Sequence, residues 1–322
     1  MRFRNAALAL LFALTGPLAA AQSYPDRLVT IVIPFPAGGG IDVLTRAVAA
    51  ELTTKWKQPV IIENKPGAGS LIGAGAVAKA PSDGYTLMAT INQTLTTNPF
   101  LYKKLPYDPV KSFAPIQLMV QSDMLVLANP KVPANNLKEL VALVKKEPQK
   151  HNYGSFGQGS QPHLMFEQFN KREHLDLLHV PFAGIAPLLT AVTGGHVEMT
   201  TGSAGVGGEL VRTGRLKALA IVSKERSKDF PDVPTAAELG FPYLRASIWY
   251  ALFAPEGTNK DIVEKISRDV REILGNPEFT KKHITSKGLR LVASMPAELA
   301  GVIKEETEAM EEMVKIAGVK PE

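Results

Sequence analysis

The stretch Leu28-Val-Thr-Ile-Val-Ile-Pro34, followed without a break by Phe35-Pro-Ala-Gly-Gly-Gly40, decides the fold class. Its first seven residues are largely apolar and β-branched, as in a parallel strand covered on both faces. The glycines then turn the chain, and Leu44, Val48 and Leu52 line one stripe of a helix. The rhythm returns in a strand at residues 60–63, with Gly67, Gly69, Gly73 and Gly75 opening the next helix, and residues 86–91 add a third strand. Strand, glycine turn and helix in alternation is the βαβ signature of a doubly wound sheet.

The rest of the chain continues in this mode. Residues 116–128 read as a long extended stretch interrupted by the polar Gln121-Ser122-Asp123. Asn136-Leu-Lys-Glu139 opens a helix in the manner of a capping box, with Leu137, Leu140, Val141 and Val144 as its apolar face and Pro148 as its end. Further strands are expected near 152–155, 175–180, 216–223 and 249–254. Ile262, Ile266, Val270 and Ile273 mark one closing helix, and Pro296 starts another. The reading is two doubly wound α/β domains joined by a hinge. The chain crosses near 121–124 and returns near 244–248, so residues 22–121 and 246–322 form a discontinuous domain 1 and residues 122–245 form domain 2. Two crossings permit hinge closure around a ligand. A single large sheet is the competing reading.

The 322 residues are 45% hydrophobic and 21% charged, which excludes a disordered chain. Met1 to Asn5 is basic, Ala6 to Leu14 is apolar, and Ala19-Ala-Ala21 supplies small residues. This is the tripartite pattern of an export signal, expected to be cleaved after Ala21 and to place the mature chain in a periplasm. The apolar run falls short of the roughly 20 residues a bilayer span needs, and no later segment reads as one, so no direct membrane insertion is expected. Losing Arg2 and Arg4 lowers the formal charge from +5 to +3. That excess is no footprint for nucleic acid, though it attracts anions weakly. The chain has no cysteine, which removes disulfides, lipid anchoring, thiol catalysis and cysteine metal sites.

Two glycine loops carry the binding expectation. In the first, Phe35, Ala37, Gly38 and Gly39 stand between a strand and a helix start, where bare N–H groups and the helix dipole suit a carboxylate or phosphate. It lacks the G-x-G-x-x-G order and a Walker lysine, so a nucleotide fits poorly. A plain tight turn is the alternative. In the second, Gly154-Ser155-Phe156-Gly157-Gln158-Gly159-Ser160 repeats this physics and adds hydroxyl and amide donors, with His163 just beyond. Asn92 and Gln93 end a strand and could donate to a ligand, with local capping as the other reading. Phe182 and Ala183, also past a strand end, could wall the pocket. Lys65-Pro-Gly-Ala-Gly69 reads as structural.

The case for an enzyme is thin. His151, His163, His174, His179, His196 and His283 show no metal-ligand spacing, and no Gly-x-Ser-x-Gly elbow occurs. No metal and no cofactor is expected. The run Glu305, Glu306, Glu308, Glu311, Glu312 reads as a solvated helix face.

The chain resembles the Bug family, the extracytoplasmic solute receptors of tripartite tricarboxylate transporters. The resemblance rests on Tyr24-Pro-Asp-Arg27, Ile33-Pro-Phe-Pro-Ala-Gly-Gly-Gly-Ile-Asp42 with Arg46, and Glu63-Asn-Lys-Pro-Gly-Ala-Gly69. It continues through Ala80-Pro-Ser-Asp-Gly-Tyr-Thr-Leu87, Asn98-Pro-Phe-Leu-Tyr-Lys-Lys-Leu-Pro-Tyr-Asp108 and the serine-glycine loop with His163. Gly214-Arg-Leu-Lys-Ala-Leu-Ala220 and Trp249-Tyr-Ala-Leu-Phe-Ala-Pro255 close the series. It implies a type II periplasmic binding-protein fold with a small carboxylate gripped between the first loop and Ser155 to Ser160. It also implies membrane transporter subunits as partners, and a monomer is expected. Two departures bear on the ligand. Phe182-Ala183-Gly184 stands where the family often has Tyr-Lys-Gly, and Gly202, before Ser203, stands where an aspartate is frequent. A less charged pocket suits a dicarboxylate or aromatic carboxylate without an amine. Ser203 is counted with the site. The alternative functions are a receptor for a two-component signalling system and, least favoured, a periplasmic enzyme.

Overall fold

The computed structural model describes residues 24–321, so the expected signal peptide at 1–21 lies outside the described residues. Along the chain run β1 (Val29–Ile33), α1 (Gly40–Trp56), β2 (Val60–Asn64), α2 (Leu71–Ala78) and β3 (Thr86–Ile91). A π-turn at Gln93–Thr97 leads to α3 (Asn98–Leu101), then to β4 (Phe113–Ala128), α4 (Leu137–Lys146), β5 (Asn152–Ser155) and α5 (Gln161–Glu173). Next come β6 (Leu178–Pro181), α6 (Ile185–Gly194), β7 (Met199–Ser203), α7 (Ala204–Arg212) and β8 (Lys217–Ile221). The chain closes with β9 (Ser247–Pro255), α8 (Lys260–Gly275), α9 (Pro277–His283), β10 (Leu289–Leu291) and α10 (Pro296–Ala317). This is a mixed α/β fold of doubly wound type.

The strands join in one path, β2-β1-β3-β9-β4-β7-β5-β6, with β8 and β10 also on β4. The strands of each end are parallel, β1 to β2 and β3, and β5 to β6 and β7. β9 and β4 run antiparallel to each other between them. The cores divide within this single path. Ile31, Ile33, Leu44, Leu52, Leu87 and Ile266 fill one face of the β1 end, and Met88, Trp249 and Phe253 the other. Val126, Tyr153, Phe166 and Phe169 fill one face of the β5 end, and Leu125, Leu188 and Ile221 the other. Side chains before Val120 and after Met124 on β4 thus belong to different cores.

β4 does not break at Gln121-Ser122-Asp123. All three residues pair with β9, and Gln121 and Ser122 pair with β10 as well. The polar side chains sit where the two cores part, and Gln121 Oε1 accepts from Arg290. A hydropathy pattern registers that change of environment as a break in the strand. Residues 175–177, expected in a strand, form an irregular loop instead. His174 takes a left-handed conformation, and the Asn170 side chain binds both N–H and C=O of Leu177. The capping expectation at Asn136 holds, since its side chain accepts from the Glu139 N–H at 3.0 Å.

The C-terminal helix α10 joins both ends. Leu299 lies in the core beside Trp249, whereas Met310, Met313 and Val314 pack on Leu164 of α5. Glu306 departs from the expected solvated face. It lies on the stripe shared by Leu299, Met310 and Met313, at helical spacings of seven and four. Its carboxylate accepts from Trp249 Nε1, Asn92 Nδ2 and Thr96 Oγ1. Among the described residues no helix is long and apolar enough to cross a membrane.

Candidate functional site

The first glycine loop is braced from behind. Asp42, in the first turn of α1, is buried, and its Oδ2 accepts from the Gly38 N–H at 3.0 Å and from Arg46 Nε at 2.9 Å. Asn64, at the end of β2, donates to Asp42 Oδ1 at 3.0 Å and to the Phe35 carbonyl at 3.1 Å. These contacts, led by the Arg46 hydrogen bond, hold the Asp42 carboxyl down at about 2 against the opposing effect of its burial. The Gly38 N–H is therefore committed to Asp42 and is no open anion donor.

The open donors lie one residue on. The first bond of α1 runs from the Val43 N–H to the Gly39 carbonyl, so the N–H groups of Gly40, Ile41 and Asp42 precede it. No side chain caps them. Ala37, Gly38 and Gly39 are exposed, and Phe35 is half-buried against the core. A Cβ on Gly38 would meet nothing within 4 Å, and on Gly39 only the Pro36 carbonyl at 3.9 Å. The loop thus presents bare backbone to open space.

The second loop is tied more tightly than its donor-rich sequence implies. Ser155 Oγ accepts from the Gly157 N–H at 3.1 Å and lies 2.7 Å from His179 Nε2. The Ser160 hydroxyl donates back to the Gly157 carbonyl. The Gly159 N–H donates to His163 Nδ1 at 3.1 Å, which requires a neutral imidazole with its proton on Nε2. His163 and His179 lie ring to ring at 4.4 Å, tilted by 35°, with Tyr153 stacked beyond His179 at 5.1 Å. Burial pushes both imidazoles below the ordinary histidine value, and for His179 the neighbouring His163 adds to this. Phe156 and Gln158 remain exposed. Leu101 of α3 presses on Gly159, 2.8 Å from where a Cβ would stand, so the β1 end of the molecule touches this loop.

The other expected positions separate into two groups. Ser203 is half-buried, precedes α7 and caps nothing, and Ala183 is exposed at the start of α6. Phe182 is half-buried against the second core. Gln93 is half-buried at the head of the π-turn. Asn92 is a structural pin, because its amide already donates to the Ser247 carbonyl at 2.9 Å and to Glu306. Gly202 lies against the core, where a Cβ would stand 2.9 Å from Leu127 Cδ1. Sequence reasoning did not bring His179 or Tyr250 to the site. His179 comes from β6 with no motif of its own, and Tyr250 lies in the Trp249–Pro255 run, which the sequence marks only as a strand. Among the described residues no group of three or more acidic or histidine side chains could hold a metal ion.

A pattern unites the loops. The helices that follow parallel strands, α1, α2, α5, α6 and α7, begin without a side-chain cap. Of the others, α4, α8 and α9 carry asparagine caps at Asn136, Asn259 and Asn276, whereas α3 and α10 have no side-chain cap either. Uncapped N-termini at the carboxyl ends of strands leave donors and positive dipole ends for an anion.

Known proteins match this arrangement. The family model described as the tripartite tricarboxylate transporter family receptor covers residues 44–319. Protein BugT of Bordetella pertussis is 33% identical over 314 residues, 96% of each chain. A Rhodopseudomonas palustris protein solved with adipate superposes with a TM-score of 0.80 at 30% identity, covering 93% of this chain and all of that one. MatC of Rhodopseudomonas palustris, solved with bound malate, gives 0.75 at 33% identity, over 90% of this chain and all of that one. The chain belongs to the Bug-type receptor family of tripartite tricarboxylate transporters, a family of solute-binding receptors and not of enzymes.

Proposed function

We propose that this receptor captures, in the periplasm, a small dicarboxylate or aromatic carboxylate lacking an amine and delivers it to the membrane subunits of a tripartite tricarboxylate transporter. Residues 22–121 with 246–322 close on residues 122–245 about the β4–β9 crossing. One carboxylate sits on the first turn of α1, and the loop of Ser155 to Ser160 meets the other end of the ligand. The observation that carries this reading is the uncapped start of α1 beside exposed, bare glycines, repeated at the starts of α5 and α7. Backbone donors hold an anion without a buried arginine that would itself need desolvating.

The choice of ligand follows from what surrounds these donors. His163 is held neutral, Asp42 is spent on Arg46, and Ala183 brings no charge, so none of these three offers an ammonium a free negative charge. Phe156, Ile185 and Val206 lie exposed at the starts of α5, α6 and α7 and suit an apolar body. The Gly202 position no longer adds to this argument, since its side-chain direction is the Leu127 core.

The test is a melting-shift panel on residues 22–322. A ligand at 100 times its dissociation constant stabilises by about 2.7 kcal/mol. Adipate or terephthalate should raise the melting temperature, and aspartate and glutamate should not; the opposite ranking refutes the ligand class. Gly39→Asp tests the site. Gly39 has φ −72° and ψ 165°, which any residue adopts, and it stands at the N-cap of α1. Aspartate is a preferred N-cap, so this variant should melt no lower than the parent yet bind no carboxylate, its own side chain occupying the α1 start. Normal binding by Gly39→Asp would remove the α1 start from the site.

A further inference from the structure

Tyr250 stands on β9, paired with Ile91 of β3 and Val120 of β4. It is therefore level with the carboxyl end of β3, on the strand that links the two ends of the molecule. Its ring joins Leu252 and Ala254 on the face that packs beneath α1 and α8. From there the hydroxyl reaches the start of α1. A Cβ on Gly40 would run into the Tyr250 oxygen and stand 3.2 Å from its Cζ. The first residue of α1 is thus a glycine at a place where the helix itself would accept any residue, and the obstacle is one phenol.

That phenol has no partner among the described residues, whereas most tyrosines of this chain do. Tyr24 and Tyr107 donate to the carbonyls of Gly84 and Thr94 at 2.7 and 2.6 Å. Tyr85, Tyr153 and Tyr243 donate to carboxylates of Asp26, Glu167 and Glu173. Tyr102 shares the lack of a partner, but its hydroxyl lies against Gly69, away from α1. Buried and half-buried tyrosines usually find a hydrogen-bond partner, and the half-buried Tyr250 has none of its own. Its oxygen stands against Gly40 at the uncapped start of α1, and neither a backbone nor a side-chain group of the described residues bonds it there.

We infer that Tyr250 is a ligand-binding residue of this receptor, its hydroxyl donating to a carboxylate oxygen seated on the first turn of α1, and that Gly40 is a glycine to leave room for it. The inference rests on the reading above that the α1 start holds the carboxylate. Burial pushes the phenol above its ordinary pKa, so it remains a neutral donor throughout the neutral range. Because β9 runs through both ends of the sheet, the hydroxyl is fixed by strand pairing and does not depend on either glycine loop. It therefore sets the depth at which the carboxylate rests.

Tyr250→Phe removes one oxygen and keeps the ring. The panel of succinate, malate, adipate and terephthalate is titrated into the parent, Tyr250→Phe, Gly40→Ala and the double variant by calorimetry, with melting curves of the free proteins. A hydrogen bond to a charged group is worth about 1.5–3 kcal/mol, so Tyr250→Phe should weaken every ligand that binds the parent by about 10- to 150-fold, with the free protein melting as high as the parent. Gly40→Ala should weaken binding too, and the double variant should be little worse than the worse single one, since both changes remove the same contact. Parent-like affinity in Tyr250→Phe, while Gly39→Asp is silent, overturns the role of the tyrosine and leaves the site reading standing. A parent silent to the panel, or a Gly39→Asp variant that still binds, overturns both.

Discussion

At the scale of single residues the first loop is shaped by Asp42 more than by its glycines. The carboxylate is buried, accepts from Gly38, Arg46 and Asn64, and so fixes where the loop turns and which backbone donor stays free. The i, i+4 spacing of Asp42 and Arg46 is visible in the sequence. The third member, Asn64, sits 22 positions away on β2, and only the parallel pairing of β1 with β2 brings it there. Asp42→Asn should cost affinity through a looser loop and also change the acid limb of stability. A carboxyl held at about 2 when folded, against about 3.9 unfolded, contributes stability fully above pH 3.9, and that contribution is lost as pH falls through about 2. The melting difference between parent and Asp42→Asn should thus be greatest above about pH 4 and shrink toward pH 2. A difference that is flat across that range would mean the carboxylate is not the brace.

At the scale of elements the sequence discloses what is periodic and hides what depends on neighbours. β1, α1, β3 and the Asn136 cap are local patterns and are read directly. The continuity of β4 through Gln121-Ser122-Asp123 depends on strands β9 and β10, drawn from more than a hundred residues later, and no local window contains it. The second loop shows the same limit. Its glycines and serines announce a donor-rich turn, but its hydroxyls are consumed by Gly157 and His179. The histidine pair beneath it gives a pH dependence. Both folded imidazoles lie below their unfolded value of about 6.5, so the neutral pair contributes stability fully above that pH. The contribution is lost as pH falls from there through the lowered folded values. Protonating His163 Nδ1 would also break the bond from the Gly159 N–H. Proton NMR should place both imidazole midpoints below about 6.5, and the ligand-induced melting shift should be smaller at pH 5 than at pH 7.5. Midpoints above 6.5 would contradict the buried, neutral pair.

At the scale of the whole molecule, α10 is the helix that packs on both ends of the sheet. Leu299 lies in the core at the β1 end, Met310 and Met313 lie on α5, and Glu306 sits between them with its carboxylate turned toward Trp249, Asn92 and Thr96. Arg172 and Glu312 add an exposed ion pair between the same two helices, of small worth by itself. Glu306 thus bonds the start of β9, the end of β3 and the C-terminal helix at one point next to the crossing. Removing it by Glu306→Ala would orphan the Trp249 and Asn92 donors, at about 1–3 kcal/mol for each group left unpaired. The variant should melt lower, and hydrogen exchange should quicken together in α10, in residues 92–97 and at the start of β9, while α4 on the far side stays protected. The pH dependence has its own sign. Burial pushes the folded Glu306 carboxyl above its unfolded value of about 4.3, so its contribution is fully present below that pH and is lost as pH rises through the folded value. The gap in melting temperature between parent and Glu306→Ala should therefore widen on acidification from neutral toward pH 4.3. A variant that melts like the parent at every pH, with exchange unchanged in all three segments, would show that α10 is held by its apolar stripe alone and that the carboxylate joins nothing.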